Sequence, residues 1–197
     1  MVVRISEWRD KLLARRRGRV AFVLSGGGPF GAIQVGLLHA LVDSDITPDL
    51  LVGTSVGALN SVFVAHDPTP KGVENLKDVW LRMRKDDLFP GGRFVSAWNA
   101  VKRGSFVYSS SGMRRIIETE LPVTTFEELK VETHICGTNL ETGQESWFTS
   151  GPLMEPLLAS SAMPGIFPPV VIDGTSYIDG GVANNVPVSR AVELGAR

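Results

Sequence analysis

Two glycine-framed stretches of this chain carry residue types suited to acyl-transfer chemistry. Gly53-Thr54-Ser55-Val56-Gly57 is the first. It follows the apolar run Asp49-Leu50-Leu51-Val52 and precedes an apolar helical pattern from Ala58 to Ala65. A Gly-x-Ser-x-Gly stretch between a buried strand and a helix sets its serine on a tight, strained turn above the sheet edge, with small neighbours that let strand and helix approach. The helix N-terminus beneath favours developing negative charge. Taken alone, the five residues fit an N-cap serine on an ordinary βα turn equally well. The second stretch is Ser25-Gly26-Gly27-Gly28-Pro29-Phe30-Gly31. Glycines at a helix start expose backbone N–H groups that can hold an oxyanion. Pro29 has no N–H, so Gly27 and Gly28 are the expected donors, with Gly26 a third candidate. The same glycines satisfy a dinucleotide fingerprint, which also needs an acidic residue ending the second strand. Gly53-Thr54-Ser55 fills that position, and Asp49 stands at the strand's beginning. A Walker loop is excluded because no Gly-Lys-Ser/Thr ending follows.

A nucleophilic serine needs a base. The histidines are His39, His66 and His134. A Ser-Asp-His triad in the α/β-hydrolase chain order would need a histidine after Asp173 or Asp179, and none follows. His39 falls within a helical pattern and His66 at a helix end, both surface or cap positions. His134 leads a strand, with nothing local to orient it. A carboxylate acting directly on the serine is the remaining choice. Asp173-Gly174, between Val170-Val171-Ile172 and Ser176-Tyr177-Ile178, is explained by a type I′ hairpin turn. Asp179-Gly180-Gly181 follows a strand, and its second glycine implies close backbone approach or unusual dihedrals. Asp179 is therefore the stronger candidate.

The elements that must position these residues follow from periodicity. Arg19 to Leu24 is a buried strand, and Ile33, Leu37, Leu38 and Leu41 mark one face of a helix beginning near Pro29. The second strand and the helix Ala58 to Ala65 complete a βαβα start, so a parallel sheet with helices on its faces is expected. Residues 72–120 read as mainly helical. Val73, Leu76, Val79, Trp80 and Met83 form one stripe; Phe94, Trp98 and Val101 another; Met113, Ile116 and Ile117 a third. Hairpins are expected around Glu141-Thr142-Gly143 and Asp173-Gly174, with a helix from Leu153 to Ser161 between them. Val188 to Leu194 is the last helix. A further strand is expected after Gly195, so the chain reads as the N-terminal part of a longer protein.

Composition bounds the rest. A chain of 197 residues, 43% hydrophobic and 21% charged, suits one globular domain. A net charge of −1 gives no reason to expect nucleic acid. The lone Cys136 reads as a buried thiol in a reducing compartment. No apolar run approaches a bilayer span, and the N-terminus lacks a signal-peptide pattern, so a cytoplasmic location is expected. Residues 1–19 hold seven basic and two acidic side chains. With Ile5, Trp8, Leu12 and Leu13 at helical spacing, residues 1–18 form a basic amphipathic extension ahead of a domain spanning 19–197. Packing on that domain is the plainer reading of the extension; peripheral contact with a membrane surface through Trp8 and the arginines is the alternative.

The motifs at 25–31, 53–57 and 179–181 occur in this order with Ala159-Ser160-Ser161-Ala162-Met163-Pro164-Gly165-Ile166-Phe167-Pro168-Pro169 before the last. In this combination the chain resembles the patatin-like phospholipase family. The resemblance implies a three-layer α/β/α fold with a mostly parallel central sheet. It also implies a Ser55–Asp179 dyad without histidine, hydrolysis of acyl esters of phospholipids, lysophospholipids or acylglycerols, and no metal or organic cofactor. Met163, Ile166 and Phe167 are candidates for an acyl pocket, or equally for core. Phe30 departs from the pattern, since the family usually carries a basic residue there. A catalytically weak, regulatory or lipid-binding member is the alternative that this departure keeps open.

Overall fold

In the computed structural model, residues 18–88 and 108–197 are described. The basic segment 1–17, Phe89 to Gly92, and the stripe Phe94, Trp98 and Val101 lie outside them. The strands are β1 (Ala21–Leu24), β2 (Leu50–Thr54), β3 (Glu132–Asn139), β4 (Glu145–Phe148), β5 (Val170–Ile172) and β6 (Thr175–Asp179). Helices are α1 (Gly31–Asp43), α2 (Val56–His66), α3 (Pro70–Arg82), α4 (Ser111–Glu120), α5 (Met154–Ser160) and α6 (Val188–Glu193). A helical turn at Lys85–Leu88 lies between α3 and α4.

The six strands form one sheet in the order β1-β2-β3-β6-β5, with β4 paired to β3 outside this path. β1, β2 and β3 are parallel, β6 runs against both β3 and β5, and β4 runs against β3. Four of the six strands (β1, β2, β3 and β5) therefore share a direction. The predicted mostly parallel α/β architecture is present, with antiparallel hairpins added on one side. All five residues of β2 are buried, as a central parallel strand covered on both faces requires. Successive β2 side chains point to opposite faces. Leu51 joins the larger core with α1, α2, α3 and α5, whereas Leu50 and Val52 meet Ala191 of α6 on the other face. Helices thus cover both faces, giving the three layers.

The face of α1 differs from the sequence expectation. Gly31, Val35, Leu38 and Val42 are buried, while Ile33 and Leu37 are exposed. This helix is apolar nearly all round, so its periodicity alone could not select the face. Packing against α3 and α2 decided it. The stripe Val73, Leu76 and Val79 of α3 is buried as expected, as are Ile116 and Ile117 of α4. The Asp173-Gly174 hairpin also forms as read, with φ of 50° and 79° at its two central residues.

Local sequence explains the tight seam below Ser55. A Cβ on Gly57 would collide with the Leu24 carbonyl, so only glycine lets α2 sit this close to β1. Cys136 is fully buried in β3. Burial pushes its thiol up to about 12, which leaves it a packing group and not a nucleophile. Among the described residues, no helix is long and apolar enough to cross a membrane.

Candidate active site

Ser55 stands between β2 and α2 at φ 55° and ψ −124°, a conformation rare for a side-chain-bearing residue. Such backbone costs on the order of 1–3 kcal/mol and persists only where its surroundings enforce it. Here they do so from three sides. The Ser55 N–H donates to the Ser160 hydroxyl at 2.8 Å, and the Ser55 carbonyl accepts the Ala58 N–H of α2 at 2.9 Å. Next to it, the Thr54 hydroxyl donates to the Asn184 carbonyl at 3.0 Å. The N-cap reading of Ser55 is not realised, since its side chain makes no capping bond to α2.

Asp179 reaches Ser55 through sheet register. Thr54 pairs with Cys136, and Gly137, the next residue of β3, pairs with Asp179 on β6. Ser55 and Asp179 therefore arrive at one level of the sheet, with Gly137 between them. The Ser55 hydroxyl donates to Asp179 Oδ2 at 2.8 Å, and the Gly181 N–H donates to Asp179 Oδ1 at 2.7 Å. The backbone of Asp179 is held as firmly. Its N–H donates to the Ala162 carbonyl at 3.0 Å, and its carbonyl accepts the Thr138 hydroxyl at 2.9 Å. Both residues are buried, Ser55 at 8% exposure and Asp179 at 6%. Burial pushes the Asp179 carboxyl above the ordinary aspartate range, and the bonds from Gly181 and Ser55 pull against that shift.

The other titratable candidates lie elsewhere. Asp173 occupies the β5–β6 turn, at the opposite end of β6. His39 contacts Asp43 and Glu74 on the surface. His134 is bonded to Glu132 near the start of β3, whereas Ser55 follows the far end of the parallel β2.

The glycine loop faces Ser55 from the end of β1. Gly28 has φ 54° and opens the 3-10 turn Gly28–Phe30 that leads into α1. Among the described residues the N–H groups of Gly27 and Gly28 have no protein partner. Gly26 differs: its N–H donates to the Asn185 carbonyl at 3.1 Å. The expectation of Gly26 as a third oxyanion donor is therefore corrected, because that hydrogen is engaged in tying the loop to the segment after Asp179. Beside the loop and Ser55 opens a cavity of about 460 Å³, walled by Val56, Leu59, Trp80, Met83, Met113 and the predicted Met163, Ile166 and Phe167. Its lining is almost wholly apolar, with Arg84 the one charged residue on its wall among the described residues. Among the described residues no cluster of His, Cys, Asp or Glu is arranged to hold a metal ion.

Three supporting groups were not singled out from sequence: Ser160, Thr138 and the Asn184-Asn185 pair. Ser160 was visible only as part of a motif, and the two asparagines only as polar residues after Asp179. Their use here is long-range, across 105 residues for Ser160 to Ser55 and 130 for Thr54 to Asn184.

The sequence model of the family described as patatin-like phospholipase matches residues 22–192. The chain belongs to the patatin-like phospholipase family. A patatin-like phospholipase domain-containing protein of Caenorhabditis elegans is 33% identical over 186 residues, covering 90% of this chain and 13% of its own length. Lysophospholipase nte1 of Aspergillus terreus is 30% identical over 191 residues, covering 93% of this chain and 12% of itself. The uncharacterized protein YjjU of Escherichia coli K12 is 28% identical, with 91% of this chain and 50% of YjjU aligned. This patatin-like chain thus spans half or less of the length of these relatives. Among solved structures, VipD from Legionella pneumophila shares the fold, with a TM-score of 0.60 at 14% identity over 86% of this chain and 47% of VipD.

Proposed function

We propose that this patatin-like domain is a serine hydrolase of lipid acyl esters, with Ser55 as nucleophile and Asp179 as its general base. The observation that carries the reading is the buried 2.8 Å Ser55–Asp179 hydrogen bond at the edge of an apolar cavity. Family membership and a relative named lysophospholipase support the substrate class. The apolar wall of Met163, Ile166 and Phe167 is suited to an acyl chain.

In the proposed mechanism Ser55 Oγ attacks the ester carbonyl while Asp179 Oδ2 takes its proton. The tetrahedral oxyanion is held by the Gly27 and Gly28 N–H groups, a type of interaction in which one donor is typically worth ~10²–10³ in kcat. Collapse breaks the ester C–O bond, and the leaving alcohol takes the proton from Asp179. Water then replaces the alcohol. Asp179 accepts one of its protons as the oxygen attacks the acyl carbonyl, and the second collapse returns that proton to Ser55 as the fatty acid departs. A carboxylate made more basic by burial suits this role, because it binds the serine proton more tightly than an exposed aspartate would.

Fatty-acid release from monoacyl and diacyl glycerophospholipids and from p-nitrophenyl esters tests the activity. Hydrolysis by the wild type is expected, and no release from any of these esters would sink the reading. The pH profile tests the base. Since Asp179 works deprotonated and its carboxyl is raised, kcat/KM should climb with pH through a limb above the ~3.9 of an ordinary aspartate. A limb at or below that value contradicts the assignment.

A further inference from the structure

The loop 25–31 has an exacting task in the proposed reaction. It must keep two N–H groups aimed at one point, although among the described residues nothing bonds those groups. Its two ends are held from beneath by a pair of side-chain amides. Gln34 Nε2 donates to the Ser25 carbonyl at 2.7 Å, at the loop's start. Asn60 Nδ2 donates to the Gly31 carbonyl at 3.1 Å, at the loop's finish. The two amides are joined, Asn60 Nδ2 also donating to Gln34 Oε1 at 2.9 Å. The remaining acceptor of Asn60, Oδ1, takes the Trp80 indole N–H at 2.9 Å. That bond decides which way the amide faces. With Oδ1 committed to Trp80, both Asn60 hydrogens must point to Gly31 and Gln34.

Asn60 is wholly buried on α2, five residues after Ser55, amid Ala58, Leu59, Ser61 and Val62. A polar amide at such a position is costly unless bonded, and here both its amino group and its carbonyl oxygen are engaged. Ser55 thus stands immediately before the helix that carries the Asn60 clamp. The geometry points to Asn60 as a positioning residue that locks the Gly27–Gly28 donors to the helix that follows the nucleophile, with Gln34 as its relay to the start of the loop. The inference rests on the reading of those two N–H groups as oxyanion donors. Asn60 touches no reacting atom. It acts through Gly31, Gln34 and Ser25.

Two near-isosteric variants test it, Asn60→Leu in the core and Gln34→Met at a half-buried position. Each is compared with wild type for kcat and KM on a short p-nitrophenyl ester. Inhibition by a trifluoromethyl ketone, which forms a tetrahedral oxyanion adduct on a serine, is measured alongside. Misaimed donors should lower kcat by ~10–100-fold, somewhat less than outright loss of a donor. KM should stay within about twofold, since ground-state binding is untouched. The ketone's Ki should rise by the factor by which kcat/KM falls, while the acidic limb set by Asp179 stays in place. Wild-type kcat in folded Gln34→Met overturns the inference, and so does a fall in kcat without a matching rise in Ki. If Asn60→Leu does not fold, Gln34→Met alone decides. A wild-type protein inert toward every ester refutes the proposed function itself, and this inference with it.

Discussion

Ser55→Ala is expected to lose at least ~10⁴-fold in kcat and all labelling by a fluorophosphonate probe, with the fold intact. Removing a nucleophile from a hydrolase whose remaining machinery is in place typically leaves only the residual effect of binding and the oxyanion donors. Labelling that persists in this variant would move the nucleophile elsewhere. A second substitution separates chemistry from strain. Ser55→Ala keeps a Cβ at φ 55°, whereas Ser55→Gly does not, and both lack the hydroxyl. Relief of roughly 1–3 kcal/mol of backbone strain is offset by about 0.5–1 kcal/mol for glycine's greater freedom when unfolded. Ser55→Gly should therefore exceed Ser55→Ala in stability by about 1 kcal/mol in urea denaturation. An alanine variant as stable as the glycine one would mean that the turn stores no strain.

Asp179→Asn should cost ~10²–10⁴ in kcat, the range assigned to a general base, without weakening the fold. The asparagine can still accept the Gly181 N–H, and its amino group can face the Ser55 hydroxyl, but it cannot take a proton. The stability consequence has a definite sign. Burial raises the folded-state pKa of Asp179, so folding disfavours its charged form. Its contribution to stability is most favourable below the unfolded pKa and is lost as pH rises through the higher folded value. At neutral pH the wild type carries that penalty and Asp179→Asn does not. The variant should melt no lower than wild type at pH 7, and any advantage should vanish in acid. Asp173→Asn, in the hairpin turn, should keep activity. A folded Asp179→Asn with wild-type turnover would end the dyad proposal, as would abolition of activity by His134→Ala in a folded protein.

Local backbone chemistry accounts for the position of Ser55 in the proposed reaction. The residue must project a hydroxyl past the end of β2 and still let α2 begin at once. A positive φ does this, and Gly57 makes room for it against Leu24. Phe30, where a basic residue is usual for the family, is exposed and follows the proposed donors Gly27 and Gly28. Its backbone N–H donates to the Gly27 carbonyl at 3.2 Å, so main chain helps to hold the loop conformation at that point.

Much of this protein was legible in its residues because the relevant physics is local. A strand followed by Gly-Thr-Ser-Val-Gly and a helix dictates a tight turn wherever it occurs. A glycine triplet before Pro29 exposes N–H groups, and Asp173-Gly174 closes a two-residue hairpin by the dihedrals it tolerates. Asp179-Gly180-Gly181, following a strand and carrying a second glycine, stands out as the expected partner of Ser55. Tertiary structure decided what depends on neighbours distant in the chain. It buried Val35 and Val42 in place of Ile33 and Leu37, because a helix apolar all round takes its inner face from what packs on it. It engaged the Gly26 N–H with Asn185, while the Gly27 and Gly28 N–H groups have no partner among the described residues. It brought Ser160, Thr138, Gln34 and Asn60 to the supports of the site, since hydrogen bonds between residues 9 to 105 positions apart leave no periodic trace. The types of the proposed reacting groups are written along the chain; sheet register and buried hydrogen bonds that only the folded core brings together set where they stand.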